Sequence, residues 1–148
     1  MAYCHRYLGY VVVAALFGVV AAGCGGSNRL ATAAATGKVS YNGKPLSFGC
    51  VLFVSETGPP ARGAIKPDGT FQLRTYKDGD GAIVGKHRVQ VACTGDQGPN
   101  APPQPTNGEP HPGKSLVPSK YSAYMTSGLT FAVSADANAN HFMIDLKD

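Results

Sequence analysis

Few side chains in this chain are of a kind that does chemistry, and their spacing limits what that chemistry could be. The 148 residues include four cysteines, four histidines and nine acidic residues. His87, His111 and His141 fall at no spacing that lets two imidazoles share a metal, such as the HExxH pair of a zinc helix. Asp78-Gly79-Asp80-Gly81 alternates its carboxylates as a calcium loop does. Calcium takes about six to eight oxygens, and no closing bidentate glutamate follows at the needed distance. The two glutamates, Glu56 and Glu109, lie in turn-rich surroundings and do not suggest a facing pair for hydrolysis. No serine stands in a G-x-S-x-G elbow, and no glycine-rich run ends in a phosphate-loop lysine. These residue types predict no enzyme, no metal site and no cofactor.

Cys50 and Cys93 are the thiols of the main body. Cys93 keeps step with Val89 and Val91, whereas Cys50 alternates against Val51 and Phe53. If both apolar sets face the core, the sulfurs point apart, and a bridge needs Cα atoms about 4.4–6.8 Å from each other. A bulge or a strand end would restore the reach, so bridged and free thiols both stay open on the sequence. Tyr76, Tyr121 and Tyr124 could offer a ligand aromatic faces, with core or rim packing as the competing use. The absence of tryptophan weakens stacking on sugars.

Cys24 stands apart from these. It ends an apolar run at 10–22 that begins after His5 and Arg6, and Ala21, Ala22 and Gly23 lead into it. Gly25, Gly26, Ser27 and Asn28 follow. About a dozen apolar residues fall short of the ~20 that cross a bilayer as a helix, and the three-part layout is that of an export signal. The segment resembles a bacterial lipoprotein signal, with Ala21 where the family usually has leucine. The resemblance implies removal of residues 1–23, acylation of Cys24, and an extracytoplasmic protein whose first partner is the membrane. Gly25, where an aspartate would mark retention at the inner membrane, favours the outer membrane or the cell surface. Each buried methylene contributes about 0.8 kcal/mol, so two or more acyl chains hold firmly.

The rest of the chain must position whatever acts there. The formal charge of +4 is scattered over the sequence, whereas a nucleic-acid footprint needs a stripe or patch. Nucleic acid is therefore not an expected partner. Residues 24–36 are small and aperiodic and predict a flexible tether. From Gly37 the pattern becomes period two, which predicts strands in segment after segment. Val39 and Tyr41 alternate with polar neighbours before an Asn42-Gly43 turn. Residues 49–55 are apolar in both phases, as a central strand is. Pro67-Asp68-Gly69 is a turn in which proline presets φ and glycine permits positive φ. His87, Val89, Val91 and Cys93 share one strand face. Phe142, Ile144 and Leu146 form the inward set of the last strand. Residues 95–118 hold seven of the eleven prolines, which no central strand tolerates, and predict a long excursion. Tyr121 and Tyr124 after it are spaced for one helical turn.

Three stretches then carry a second resemblance. GKVSYNGKPLSFGCVLF, followed by ARGAIKPDGTFQL and GKHRVQV, is similar to the carboxypeptidase regulatory-like domain over about residues 37–94. The matching positions include Gly37, Val39, Gly43, Pro45, Val51, Phe53, Asp68, Gly69, Phe71, Gly85 and Val89. The resemblance implies an all-β, about seven-stranded antiparallel β-sandwich of transthyretin (prealbumin) type over 37–148. It also implies a non-catalytic unit with a structural or interaction role at the cell envelope. The alternative is a module that binds an envelope polysaccharide or protein.

Overall fold

The computed structural model describes residues 29–95, 98 and 113–148. Cys24, the apolar run before it, Glu109, His111 and most of the proline-rich stretch lie outside them.

Period-two alternation becomes strands almost wherever it occurs. β1 is Thr32–Ala33, β2 Thr36–Tyr41, β3 Lys44–Pro45, β4 Cys50–Ser55 and β5 Ala61–Ala64. β6 is Thr70–Gln72, β7 Ala82–Ile83, β8 Gly85–Ala92, β9 Leu129–Val133 and β10 His141–Leu146. Three of these strands, β1, β3 and β7, are two-residue pieces, which leaves seven of substance among the described residues. β5, β4, β8 and β9 form one antiparallel sheet in that order. The second sheet is ordered β10-β2-β3, and β6 pairs with the first half of β2. The chain is an all-β sandwich, with β4 central in its sheet as its two-phase apolarity predicts.

The inward residues meet between the sheets. Val39, Val51, Phe53, Leu73, Val89 and Leu146 are completely excluded from solvent. Phe53 is the hub, with ring centroids of Phe142, Phe131 and Phe71 at 5.3, 5.9 and 6.3 Å. Burying such a side chain contributes about 1.5–3 kcal/mol, so the cluster is a main source of cohesion between sheets. Gly37 is obligatory beneath it, because a Cβ there would run into the Phe71 ring and the Phe142 carbonyl.

Both predicted turns form. Asn42 and Gly43 take φ of 50° and 78°, as a two-residue hairpin loop requires. In the β5–β6 turn, the Asp68 carboxylate accepts from the Thr70 N–H at 2.9 Å and its hydroxyl at 2.7 Å.

Two expectations change. β10 runs parallel to β2, from His141 opposite Thr36 to Leu146 opposite Tyr41, so the sandwich is not antiparallel throughout. β9 ends at the end of the sandwich where β2 begins, and the short crossing through 134–140 therefore feeds β10 in along β2's direction. The described part of the tether expected over 24–36 is also docked. β1 pairs with β7, Ala33 and Ala35 are buried, and β2 already starts at Thr36. Alanines have no amphipathic pattern to read, yet they fit where larger side chains would not.

The strand directions give the sandwich two distinct ends. The chain enters beside β7 and the start of β8. The proline-rich stretch leaves and returns at the other end of β8, where Thr94 bridges Ser115 and the Gly95 N–H donates to the Lys114 carbonyl at 3.1 Å. The eight residues of β8 separate these ends by about 25 Å.

Candidate functional site

The polar residues with local structural work cluster where the chain enters. Between β6 and β7 the chain makes a tight loop around Asp80. The Asp80 carboxylate accepts the Thr75 N–H at 2.7 Å, the Tyr76 N–H at 2.9 Å and the Lys77 N–H at 3.1 Å. Burial alone pushes this carboxyl up, but the three backbone donors together outweigh it and hold it below the ordinary range. Asp78 points elsewhere and pairs with Arg74 at 2.7 Å. The Asp-Gly-Asp-Gly segment is thus a backbone-capping loop whose second carboxylate is engaged by three N–H donors. Among the described residues no group of three or more His, Cys, Asp or Glu gathers as metal ligands would.

Two outer depressions stand out among the described residues. The larger, about 430 Å³, lies on the outer face of β10, β2 and β6 and is lined by Thr36, Lys38, Lys66, Gln72, His141 and Met143, among others. His141 is exposed there, and its Nδ1 lies 2.8 Å from the Thr36 hydroxyl. The smaller, about 180 Å³, is lined by Pro60, Arg62, Arg74, Thr75, Tyr76 and Lys77.

The three tyrosines do not form a common face. Tyr121 is buried; its hydroxyl donates to the Lys147 carbonyl at 3.0 Å and accepts from the Lys147 N–H at 3.1 Å. It packs with the core, and the Lys120 Nζ lies over its ring at 5.0 Å from the centroid. The helical turn expected at 121–124 is a 3₁₀ turn at Ser119–Ser122, so Tyr124 leaves Tyr121's face and is exposed beside Met125. Tyr76 lines the smaller depression, which neither of the others does. Its ring lies under the Arg29 guanidinium at 5.3 Å, and its hydroxyl accepts the Leu30 N–H at 3.3 Å.

Cys50 and Cys93 are free thiols. Cys50 sits opposite Ala92 in the β4–β8 register, one residue short of Cys93, and strand alternation puts the two side chains on opposite faces. Cys93 is buried with Val91, while Cys50 lies half-buried on the outer face. Burial pushes both thiols up; Arg62 and the Gly63 backbone pull Cys50 partly back.

His87 is inside, in step with Val89 as its phase predicts. Its Nε2 lies 2.6 Å from the Ile83 carbonyl, and its ring centroid is 5.8 Å from that of Phe53. Nδ1 is buried without a partner, so the histidine is only half satisfied.

Three features escape a reading of the sequence. Asn140 lies in a polar run that looks like a loop, yet it is 1% exposed and fully hydrogen-bonded. Asp80's role as a cap depends on three N–H groups that the folded loop turns inward. Arg62 and Arg74 are 12 residues apart in number and meet directly across strands, which the hairpin turn at 67–69 hints at.

No protein-family model matches this chain, and no curated protein matches it. Among solved structures, a DUF3823 family protein from Parabacteroides merdae aligns with 80% of this chain at 18% identity and a TM-score of 0.38. The alignment spans 46% of that protein, so the present chain corresponds to less than half its length.

Proposed function

We propose that this chain is an envelope lipoprotein, acylated on Cys24 and held on the extracytoplasmic side of an outer membrane or cell surface. Its sandwich is a transthyretin-like, carboxypeptidase regulatory-like unit with a structural or interaction role and no reaction of its own. One observation carries the reading beyond the signal segment. The chain is docked to Tyr76 by Arg29 and Leu30, only five residues after Cys24, so a lipid on that cysteine would hold the sandwich by one end. The paired exit and return of the proline-rich stretch would then lie at the far end, away from the bilayer.

Intact mass measurement of the protein purified from its native membrane tests this. The expected species lacks residues 1–23 and carries acyl chains on Cys24; a chain retaining residues 1–23, with no fatty acid, overturns the reading. Crosslinking in intact cells should then recover an envelope component from the acylated protein.

The second reading, a module for envelope polysaccharide, finds support in the 430 Å³ groove with its lysines, amide and hydroxyls. A glycan array with Lys38→Ala and Gln72→Ala separates the two. Sugar binding lost in both variants selects the binding module, and no binding by the wild type selects the structural role.

A further inference from the structure

The corner at which the chain enters carries an unusual charge arrangement. Arg62 and Arg74 are a directly opposed cross-strand pair, with N–H to carbonyl distances of 2.8 and 2.9 Å in the two directions. Their neighbours Gly63 and Leu73 face the core, so both arginines project outward on the same side. Like charges directly opposite each other destabilise a sheet. Asp78 compensates Arg74, but among the described residues no carboxylate reaches Arg62. Lys77 lines the same depression and Arg29 lies over the Tyr76 ring at its rim; with Asp80 held by the Thr75, Tyr76 and Lys77 N–H groups, four basic side chains stand against Asp78 and Asp80. A cavity of about 180 Å³ is below the roughly 300–1,000 Å³ of an enclosing small-molecule site. That volume and the basic lining suit one anionic group presented by a larger surface.

The position of the chain's beginning says which surface. Five residues lead from Cys24 to Arg29, and an extended chain spans at most ~3.3–3.6 Å per residue. An acyl anchor on Cys24 therefore holds Arg29 within about 17 Å of the bilayer, and the Arg62–Arg74 corner beside it. A tether that short lets the corner come within the ~8 Å Debye length of the bilayer, where basic residues are drawn to anionic headgroups.

We propose that Arg62, Arg74, Lys77, Tyr76 and Arg29 form a membrane-facing surface that takes the phosphate groups of anionic phospholipids and sets the orientation of the sandwich on its anchor. The proposal rests on the lipoprotein reading and adds to it a specific lipid contact. Removing one basic residue should weaken that contact about fivefold.

The test uses the native acylated protein, its acylation established by mass, in vesicles of phosphatidylcholine alone or with about one-third phosphatidylglycerol. Amine acetylation followed by peptide mass spectrometry reports two lysines at opposite ends. Lys77 belongs to the corner, and Lys44 sits beside the Asn42-Gly43 turn at the other end of β2. Lys77 should react at least about fivefold more slowly in the phosphatidylglycerol vesicles, with Lys44 unchanged, and 1 M NaCl should restore its rate. Arg62→Gln and Arg74→Gln, which leave the core untouched, should each restore part of that reactivity. Equal Lys77 rates in both vesicles, or protection of Lys44 instead, overturn the lipid contact while leaving the anchor intact. Equal protection of Lys77 by soluble polyuronate on phosphatidylcholine vesicles overturns the lipid assignment in favour of an acidic polysaccharide. An unacylated chain overturns both the anchor and this surface.

Discussion

Asn140 donates from Nδ2 to the Ala34 carbonyl at 3.2 Å, joining the start of the last strand to the segment that precedes β2. The same amide spans the crossing between sheets: its Oδ1 accepts the Ser134 N–H at 2.8 Å and its Nδ2 donates to the Ser134 carbonyl at 2.9 Å. A second link follows from the main chain, where the Thr36 N–H donates to the Asn140 carbonyl at 3.0 Å. One buried side chain thus closes the β9–β10 crossing and ties it to the chain's beginning.

Asn140→Ala should therefore be among the costlier polar substitutions. It removes three hydrogen bonds made by a side chain that is 1% exposed, two to the Ser134 backbone and one to the Ala34 carbonyl. Each hydrogen bond contributes about 1 kcal/mol net, so a total loss of about 3 kcal/mol is expected. Urea unfolding checks it through a lowered midpoint. A loss below about 1 kcal/mol would mean that water replaces the amide.

Gly81 and Gly43 make a matched pair. Both have positive φ, 80° and 78°. A Cβ on Gly81 would collide with the Ala33 carbonyl, whereas nothing lies within 4 Å of one on Gly43. Gly43→Ala should cost about 1 kcal/mol from backbone strain alone. Gly81→Ala should cost at least about 2 kcal/mol more, because β1 must move off β7. Thermal unfolding of the two variants reads the difference directly, and equal shifts would refute the close approach.

Asp80 predicts a pH dependence with a definite sign. Its carboxyl is held below the ordinary value because the folded loop hydrogen-bonds the ionised form against the opposing effect of burial. Its contribution is therefore complete above the unfolded value near ~3.9 and is lost as pH falls through the lower folded value. Asp80→Asn should lower stability at neutral pH by about 1 kcal/mol and flatten the acid limb of a plot of urea midpoint against pH. Asp68, also held low, chiefly by the Thr70 hydroxyl, should keep part of that limb. An unchanged acid limb in Asp80→Asn would show that the loop does not cap through this carboxylate.

The thiols give a prediction about accessibility. Maleimide at neutral pH should modify half-buried Cys50 slowly and Cys93, 1% exposed, only after unfolding. The Cys93 rate in the folded protein should be at least about a hundredfold below its rate in urea, since reaction requires opening of a stable core. Mass analysis without reductant should count both thiols as free. A species about 2 Da lighter that resists alkylation would show a Cys50–Cys93 bridge and a local departure from the β4–β8 register.

The amino-acid sequence alone determined most of the elements. Alternation at Val51 and Phe53, at His87, Val89 and Val91, and at Phe142, Ile144 and Leu146 names strands and their inward faces, because strand geometry gives successive side chains opposite sides. Asn42-Gly43 and Pro67-Asp68-Gly69 name their turns, because few residue types reach those φ values. What the sequence left open was which strands lie side by side. The parallel β2–β10 pair, the docking of Ala33 and Ala35, the burial of Asn140 and the meeting of Arg62 with Arg74 all depend on groups brought together through space. Only the tertiary structure decided them, since a side chain's partners are set by the packing of both sheets and not by its neighbours along the chain.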